Sequence, residues 1–237
     1  MKRFILSLFV SSLLALTSFG GQHIERYGGV DLPVESFGFV VMMTLIKEEG
    51  CIENCSAEPS ISSASAVVVH VNKETTRLLT AGHVCAVTET GYTSILVRDN
   101  VGKIHTVQAQ AYSESPDLCL IETGDSWGTP LSVSKKDSKH GDRAWNLAAP
   151  YGLNQPGMIL SFEGIYSGRS PDGDDWYTIP SAPGSSGSPV INERGEIAGI
   201  IHSAILSLPH ISLSSSPQQI RSFLKTASDV LDSRSKE

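Results

Sequence analysis

Between residues 36 and 213 the chain alternates short apolar runs with turn-forming Gly, Asn, Asp and Ser, and this punctuation constrains its fold more than any other feature. Short apolar runs bounded by turn residues read as strands. The first set is Phe37–Leu45, Ala66–Val71, Arg77–Thr80, Ser94–Val97, Thr106–Ala111 and Leu118–Glu122, with Asn72-Lys73 and Asp99-Asn100-Val101-Gly102 as turns. The second set is Arg143–Leu147, Gly157–Tyr166, Trp176–Ile179, Val190–Asn192, Ile197–Ser203 and Ile211–Leu213, with Glu193-Arg194-Gly195 closing a hairpin. The pattern predicts an all-β protein of two six-stranded antiparallel β-barrels packed side by side. An N-terminal barrel spans 36–125, a polar connector 126–142 and a C-terminal barrel 143–213. Residues 214–237 predict a C-terminal α-helix and tail. Ser216 caps that helix, Pro217 suits its first position and Gln219 completes a capping box. Ile220, Phe223, Leu224, Ala227 and Leu231 follow at helical spacing and form one apolar stripe.

Three segments within this framework carry residues suited to acyl transfer. In Pro183-Gly184-Ser185-Ser186-Gly187-Ser188-Pro189 the glycines permit a tight turn that exposes the Ser186 hydroxyl. The same turn brings the N–H groups of Gly184 and Ser186 together, as an oxyanion hole requires. Alone, such a cluster also fits an ordinary surface turn. Leu78-Leu79-Thr80-Ala81-Gly82-His83-Val84 places a histidine at the end of an apolar strand, and Ser115-Pro116-Asp117-Leu118-Cys119-Leu120-Ile121 places an aspartate just before another. A carboxylate there accepts the imidazole Nδ1–H, sets the tautomer and stabilises the imidazolium formed when Nε2 takes the serine proton.

The order His, Asp, Ser is that of the chymotrypsin arrangement, and here the chain resembles the trypsin-like (chymotrypsin-fold) serine peptidases. Thr80-Ala81-Gly82-His83 is similar to their histidine motif, Asp117-Leu118-Cys119-Leu120 to their aspartate motif and Gly184-Ser185-Ser186-Gly187-Ser188-Pro189 to their serine motif. Gly-x-Ser-Gly-Ser-Pro-Val followed by Asn192-Glu193-Arg194-Gly195-Glu196 resembles bacterial glutamyl-endopeptidase and HtrA-like members more than animal trypsins. The resemblance covers roughly residues 36 to 213. It implies His83, Asp117 and Ser186 as catalytic residues, the Gly184 and Ser186 N–H groups as oxyanion hole, and a protein or peptide substrate. Two rivals stand beside this reading. One is a trypsin-fold binding module without turnover; the other is an esterase, although the serine is not in the Gly-x-Ser-x-Gly elbow of the hydrolases.

By the same resemblance, Pro180, Ser181, His202, Ser203 and Ala204 line the pocket for the residue before the scissile bond, together with the strand at His210-Ile211-Ser212. Trypsins carry an aspartate six residues before the nucleophile. Pro180 stands there, so a Lys or Arg preference is not expected and a small or medium apolar one is. Glutamate specificity is the alternative. Glutamyl endopeptidases use a histidine on this strand, but in Gly199-Ile200-Ile201-His202 it falls one residue late. A one-residue slip turns the side chain to the other face unless a bulge intervenes.

The four cysteines of an exported chain suggest two disulfides, with three possible connectivities. Cys51 and Cys55 lie close together in a polar insert. Cys85 and Cys119 each follow a proposed triad member by two residues, which favours the pairs 51–55 and 85–119; the other reading makes Cys85 and Cys119 buried apolar side chains. Export itself is read from the start of the chain. Met1-Lys2-Arg3 precedes an apolar run to Phe19, with small Ser18 and Gly20 at cleavage positions, the pattern of a signal peptide over 1–20. That run is short for a membrane span, which needs about 20 residues. Residues 21–35 are an N-terminal arm or short propeptide, and the expectation is a secreted or periplasmic protein without stable membrane association. The formal net charge of −7 and the lack of a basic stripe argue against nucleic acid. The remaining histidines show no paired metal spacing, so no metal or organic cofactor is expected.

Overall fold

The apolar strand Phe37–Ile46 (β3) pairs antiparallel with Glu58–Val71 (β4) in unbroken register from Phe37↔Val67 to Ile46↔Glu58. The computed structural model describes residues 26–27, 30–46, 58–86, 92–205 and 207–234. A two-residue pair, Arg26–Tyr27 (β1) with Val30–Asp31 (β2), precedes β3. Thr76–Thr80 (β5), Tyr92–Arg98 (β6), Ile104–Glu114 (β7) and Asp117–Thr123 (β8) complete a closed barrel in the order β3-β4-β5-β8-β7-β6. Val40, Met42, Ala66, Leu78, Val97 and Ile121 fill its interior.

A second closed barrel follows. Its strands are Arg143–Ala148 (β9), Leu160–Arg169 (β10), Asp175–Tyr177 (β11), Pro189–Asn192 (β12), Ile197–Ile205 (β13) and Leu208–Ser215 (β14), in the order β10-β11-β14-β13-β12-β9. All neighbouring strands in both barrels run antiparallel, so the predicted fold class holds. The largest correction concerns β4. The sequence suggests a strand from Ala66, yet pairing begins at Glu58. The serine-rich stretch from Ser60 to Ser65 lies before the expected strand, and a full ladder against β3 supplies its partners.

The barrels are joined by apolar surface. Val67, Leu79 and Leu120 of the first meet Ile197 and Ile200 of the second, with Ile220, Phe223, Ala227 and Leu231 of the terminal helix Pro217–Arg234 covering them. The helix starts as expected. The Ser216 N–H donates to Gln219 Oε1 at 2.7 Å, and the Gln219 N–H donates back to Ser216 Oγ at 3.3 Å. A second contact layer packs Phe37 and Phe39 on Trp145, Leu147 and Ile191.

One charge lies inside the second barrel. Asp175 is fully buried, accepts two hydrogen bonds from the Arg169 guanidinium at 2.7 and 3.1 Å, and accepts the Tyr166 hydroxyl at 3.0 Å. Burial and the Asp175 charge push the Tyr166 phenol up to about 12. Asp175 is buried but Arg169 is exposed, so removing the guanidinium leaves a buried carboxylate short of donors, at a cost of about 1–3 kcal/mol. Arg169→Leu is therefore expected to lose stability of that order at neutral pH in urea denaturation; a loss under about 1 kcal/mol would contradict this account.

Candidate active site

The histidine and aspartate are brought together by one strand pair and one turn. β5 pairs with β8 so that Thr80 faces Cys119, and the chain leaving β5 turns through a short helical segment, Gly82–Ala86 (α1). His83 lies on that turn and Asp117 opens β8. Asp117 Oδ1 accepts the His83 backbone N–H at 2.7 Å, and Oδ2 lies 2.8 Å from His83 Nδ1. This close approach explains Gly82, since a Cβ there would sit 2.7 Å from Asp117 Oδ1 and 2.8 Å from the Leu118 nitrogen. Cys85 in α1 and Cys119 in β8 form a disulfide, so one of the two expected bridges is present; Cys51 and Cys55 lie outside the described residues. The bridge ties the segment carrying His83 to the strand carrying Asp117.

Burial alone would push the Asp117 carboxyl up. Its hydrogen bond with His83, the charge of that ring, the His83 N–H and the charge of His202 together hold it below the usual carboxylate range. A carboxylate lowered in the folded state adds stability that is present above its unfolded value, about 3.9, and lost as pH falls through the folded one. Stability linked to Asp117 should thus be intact at pH 5 and decline only below about pH 4. Chemical denaturation of wild type and Asp117→Asn across pH 2–6 checks this: the two curves should converge toward the acid end.

The serine loop belongs to the second barrel but rests on the first. Gly184 and Gly187 have φ of +97° and +83°. A Cβ on Gly187 would collide with the Thr80 hydroxyl and the Ser65 carbonyl, so only glycine lets the loop lie against the strands leading to His83. Within the loop, Ser185 and Ser188 are buried and occupied. Ser185 Oγ accepts the Ala182 N–H at 3.2 Å, and Ser188 Oγ accepts the Asn146 amide at 2.8 Å. Ser186 is the half-exposed serine, and it lines a cleft of about 490 Å³. Pro180, Ser181, His202, Ser203 and Ala204 line the same cleft, as does His210.

The trypsin-like peptidase domain model matches residues 64–200, more than half the chain. The chain belongs to the trypsin-like peptidase family. The enzyme class of that family is serine endopeptidase. Solved structures share the fold. The serine endoprotease from Yersinia pestis superposes with a TM-score of 0.63 at 16% identity, over 82% of this chain and 63% of that one. The chain thus spans under two thirds of the Yersinia protein's length. The active form of the Rv3671c protease from M. tuberculosis gives 0.61 at 16% identity, over 81% of each chain. Its inactive form gives 0.62 at 15% identity, over 83% and 88%. No curated protein sequence matches the chain.

Two features of this trypsin-like site depart from what its sequence suggests. The β13–β14 register shifts between Ile201 and Ser203, so a bulge is present where uninterrupted alternation would turn His202 away, and His202 lines the cleft. Both its ring nitrogens face protein partners: Nε2 lies 3.3 Å from Asp174 Oδ1 and Nδ1 lies 3.1 Å from Ser203 Oγ. The second departure is Tyr151, which has φ 53° and ψ 24°, a left-handed conformation unusual outside glycine. Its N–H donates to the Pro183 carbonyl at 2.5 Å, and its side chain stands 73% exposed at the cleft. The Pro150-Tyr151-Gly152 run signals a turn, but nothing in it marks a contact with the serine loop.

Proposed function

We propose that this chain is an exported serine endopeptidase that hydrolyses peptide bonds through an acyl-enzyme. Ser186 attacks the scissile carbonyl while His83 takes its proton, and the Gly184 and Ser186 N–H groups receive the oxyanion. His83 then protonates the leaving amine, and in the second half it activates the water that releases the acyl group. Asp117 orients His83 throughout and stabilises its cationic form. The observation that carries this reading is the two-point grip of Asp117 on His83, through backbone N–H and Nδ1, beside a serine loop seated on the same barrel. Export is supported by the Cys85–Cys119 disulfide, since such bonds persist in oxidising compartments. The proposed divisions remain 36–125, 126–142 and 143–213.

For the residue before the scissile bond we favour a small or medium apolar side chain. The cleft is lined by Pro180, Ala182, Phe162 and Ile205, and Pro180 stands where a tryptic enzyme needs its aspartate. A glutamate preference is the second reading, favoured by the bulge that brings His202 into the cleft. Against it, Asp174 and Ser203 already engage that ring. An activity-based fluorophosphonate probe tests the chemistry: wild type should be labelled and Ser186→Ala should not. Folded wild-type protein that takes no label would favour a binding module. A peptide library then tests the pocket, and a requirement for glutamate would overturn the apolar preference.

A further inference from the structure

We infer that Ser65, a fully buried residue of β4 in the first barrel, is the positioning residue that holds the oxyanion donors of the second barrel in place. The inference rests on the reading that the Gly184 and Ser186 N–H groups receive the oxyanion. Neither N–H has a partner among the described residues, so their direction is set by the carbonyls around them. A peptide unit is planar, and its N–H points opposite the carbonyl it shares. The Gly184 N–H is therefore aimed by the Pro183 carbonyl, and the Ser186 N–H by the Ser185 carbonyl.

Ser65 controls this framework from three atoms. Its N–H donates to the Ser186 carbonyl at 2.8 Å. Its hydroxyl donates to the Gly184 carbonyl at 2.9 Å and accepts the Ala149 N–H at 3.1 Å. Its own carbonyl accepts the Thr80 hydroxyl at 2.7 Å, which anchors it to the strand leading to His83. The Ala149 contact matters because Ala149 opens the turn closed by the Gly152 N–H on its carbonyl, and that turn delivers the Tyr151 N–H to the Pro183 carbonyl. Ser185 and Ser188 complete the set, their N–H groups donating to the Ala182 and Ser185 carbonyls at 2.8 and 3.0 Å. Every carbonyl from Ala182 to Ser186 is thereby occupied, and neither donor peptide can rotate without breaking a hydrogen bond. The Tyr151 N–H holds the Pro183 carbonyl and the Ser188 N–H holds the Ser185 carbonyl, and the Ser65 hydroxyl ties the Gly184 carbonyl between them to the Ala149 turn that carries Tyr151.

Ser65→Ala keeps the backbone N–H but removes the hydroxyl, leaving the Gly184 carbonyl and Ala149 N–H unpaired. Misplacing a catalytic group by about 1 Å costs about 10²-fold. The expected result is a kcat lowered about 10²-fold with KM changed by no more than a few-fold, because oxyanion contacts act in the transition state. Nitrogen relaxation gives a readout independent of turnover. The Gly184 and Ser186 amides should show order parameters near 0.85 in wild type and below about 0.6 in Ser65→Ala. Ser65→Cys keeps the volume and a weak donor, so it should fall between the two and serves where the alanine variant does not fold. Unchanged order parameters overturn the inference whatever the activity does, and so does an unchanged kcat in a variant whose amides have loosened. A wild-type protein that cleaves no peptide would instead overturn the proposed function, while the relaxation arm still decides whether Ser65 holds the loop.

Discussion

Ser186→Ala is expected to reduce kcat on a peptide amide by about 10⁴- to 10⁶-fold without unfolding the protein. The size follows from removing the only atom that forms a bond to substrate, while binding and oxyanion contacts supply the residual rate. Stability should be spared for a local reason. The contact Ser186 makes with the first barrel runs through its carbonyl, held by the Ser65 N–H, and alanine keeps that carbonyl. Its side chain is half exposed, so truncation opens no core cavity. The choice among the serines of the loop is equally local: Ser185 and Ser188 are buried, with their oxygens already accepting hydrogen bonds. Steady-state kinetics with a melting curve checks both halves. Turnover retained within about 100-fold of wild type would mean that another nucleophile operates.

Asp117→Asn is expected to cost about 10⁴-fold in kcat, with KM little altered. Two donors of one histidine converge on this carboxylate, the backbone N–H at 2.7 Å and Nδ1 at 2.8 Å, and each meets its own oxygen. An amide has a single acceptor oxygen. Whichever way it is turned, its NH₂ faces one of the two donors. If the oxygen stays with the backbone N–H, the NH₂ donates to Nδ1 and forces the proton onto Nε2, where it blocks acceptance of the serine proton. If the oxygen turns to Nδ1, the backbone of α1 is repelled and His83 shifts. Either outcome removes the general base while leaving the cleft untouched. A loss of less than about tenfold would show that Asp117 does not set the tautomer.

Both barrels and the capped helix were legible because each rests on local signals, with apolar runs ending at turn residues. The meeting of His83 with Asp117 and the Cys85–Cys119 bridge, each between residues 34 apart, were instead implied by the family resemblance of the short motifs. What escaped the sequence depends on contacts between distant segments. Ser65 lies in a Ser/Ala stretch just outside the strand expected from Ala66, and its hydroxyl reaches a carbonyl 119 residues away. Tyr151 has no glycine-like composition to announce a positive φ; the pull of the Pro183 carbonyl outweighs its local preference. The bulge at His202 is a matter of pairing between β13 and β14, and strict alternation along one strand does not encode it.

Every residue lining the substrate cleft falls between Pro150 and His210, whereas His83 and Asp117 both lie within the first barrel. Under the proposed roles, selectivity and proton handling fall on separate halves of the chain. Mutations that retune the cleft can accumulate in the second half without disturbing the pair that moves the proton. His202 is the exception, since it lines the cleft and its charge also helps hold Asp117 low, so a change there would reach the His83–Asp117 pair as well. A change in how the two halves lean on each other would instead slow all substrates alike and leave their ranking intact.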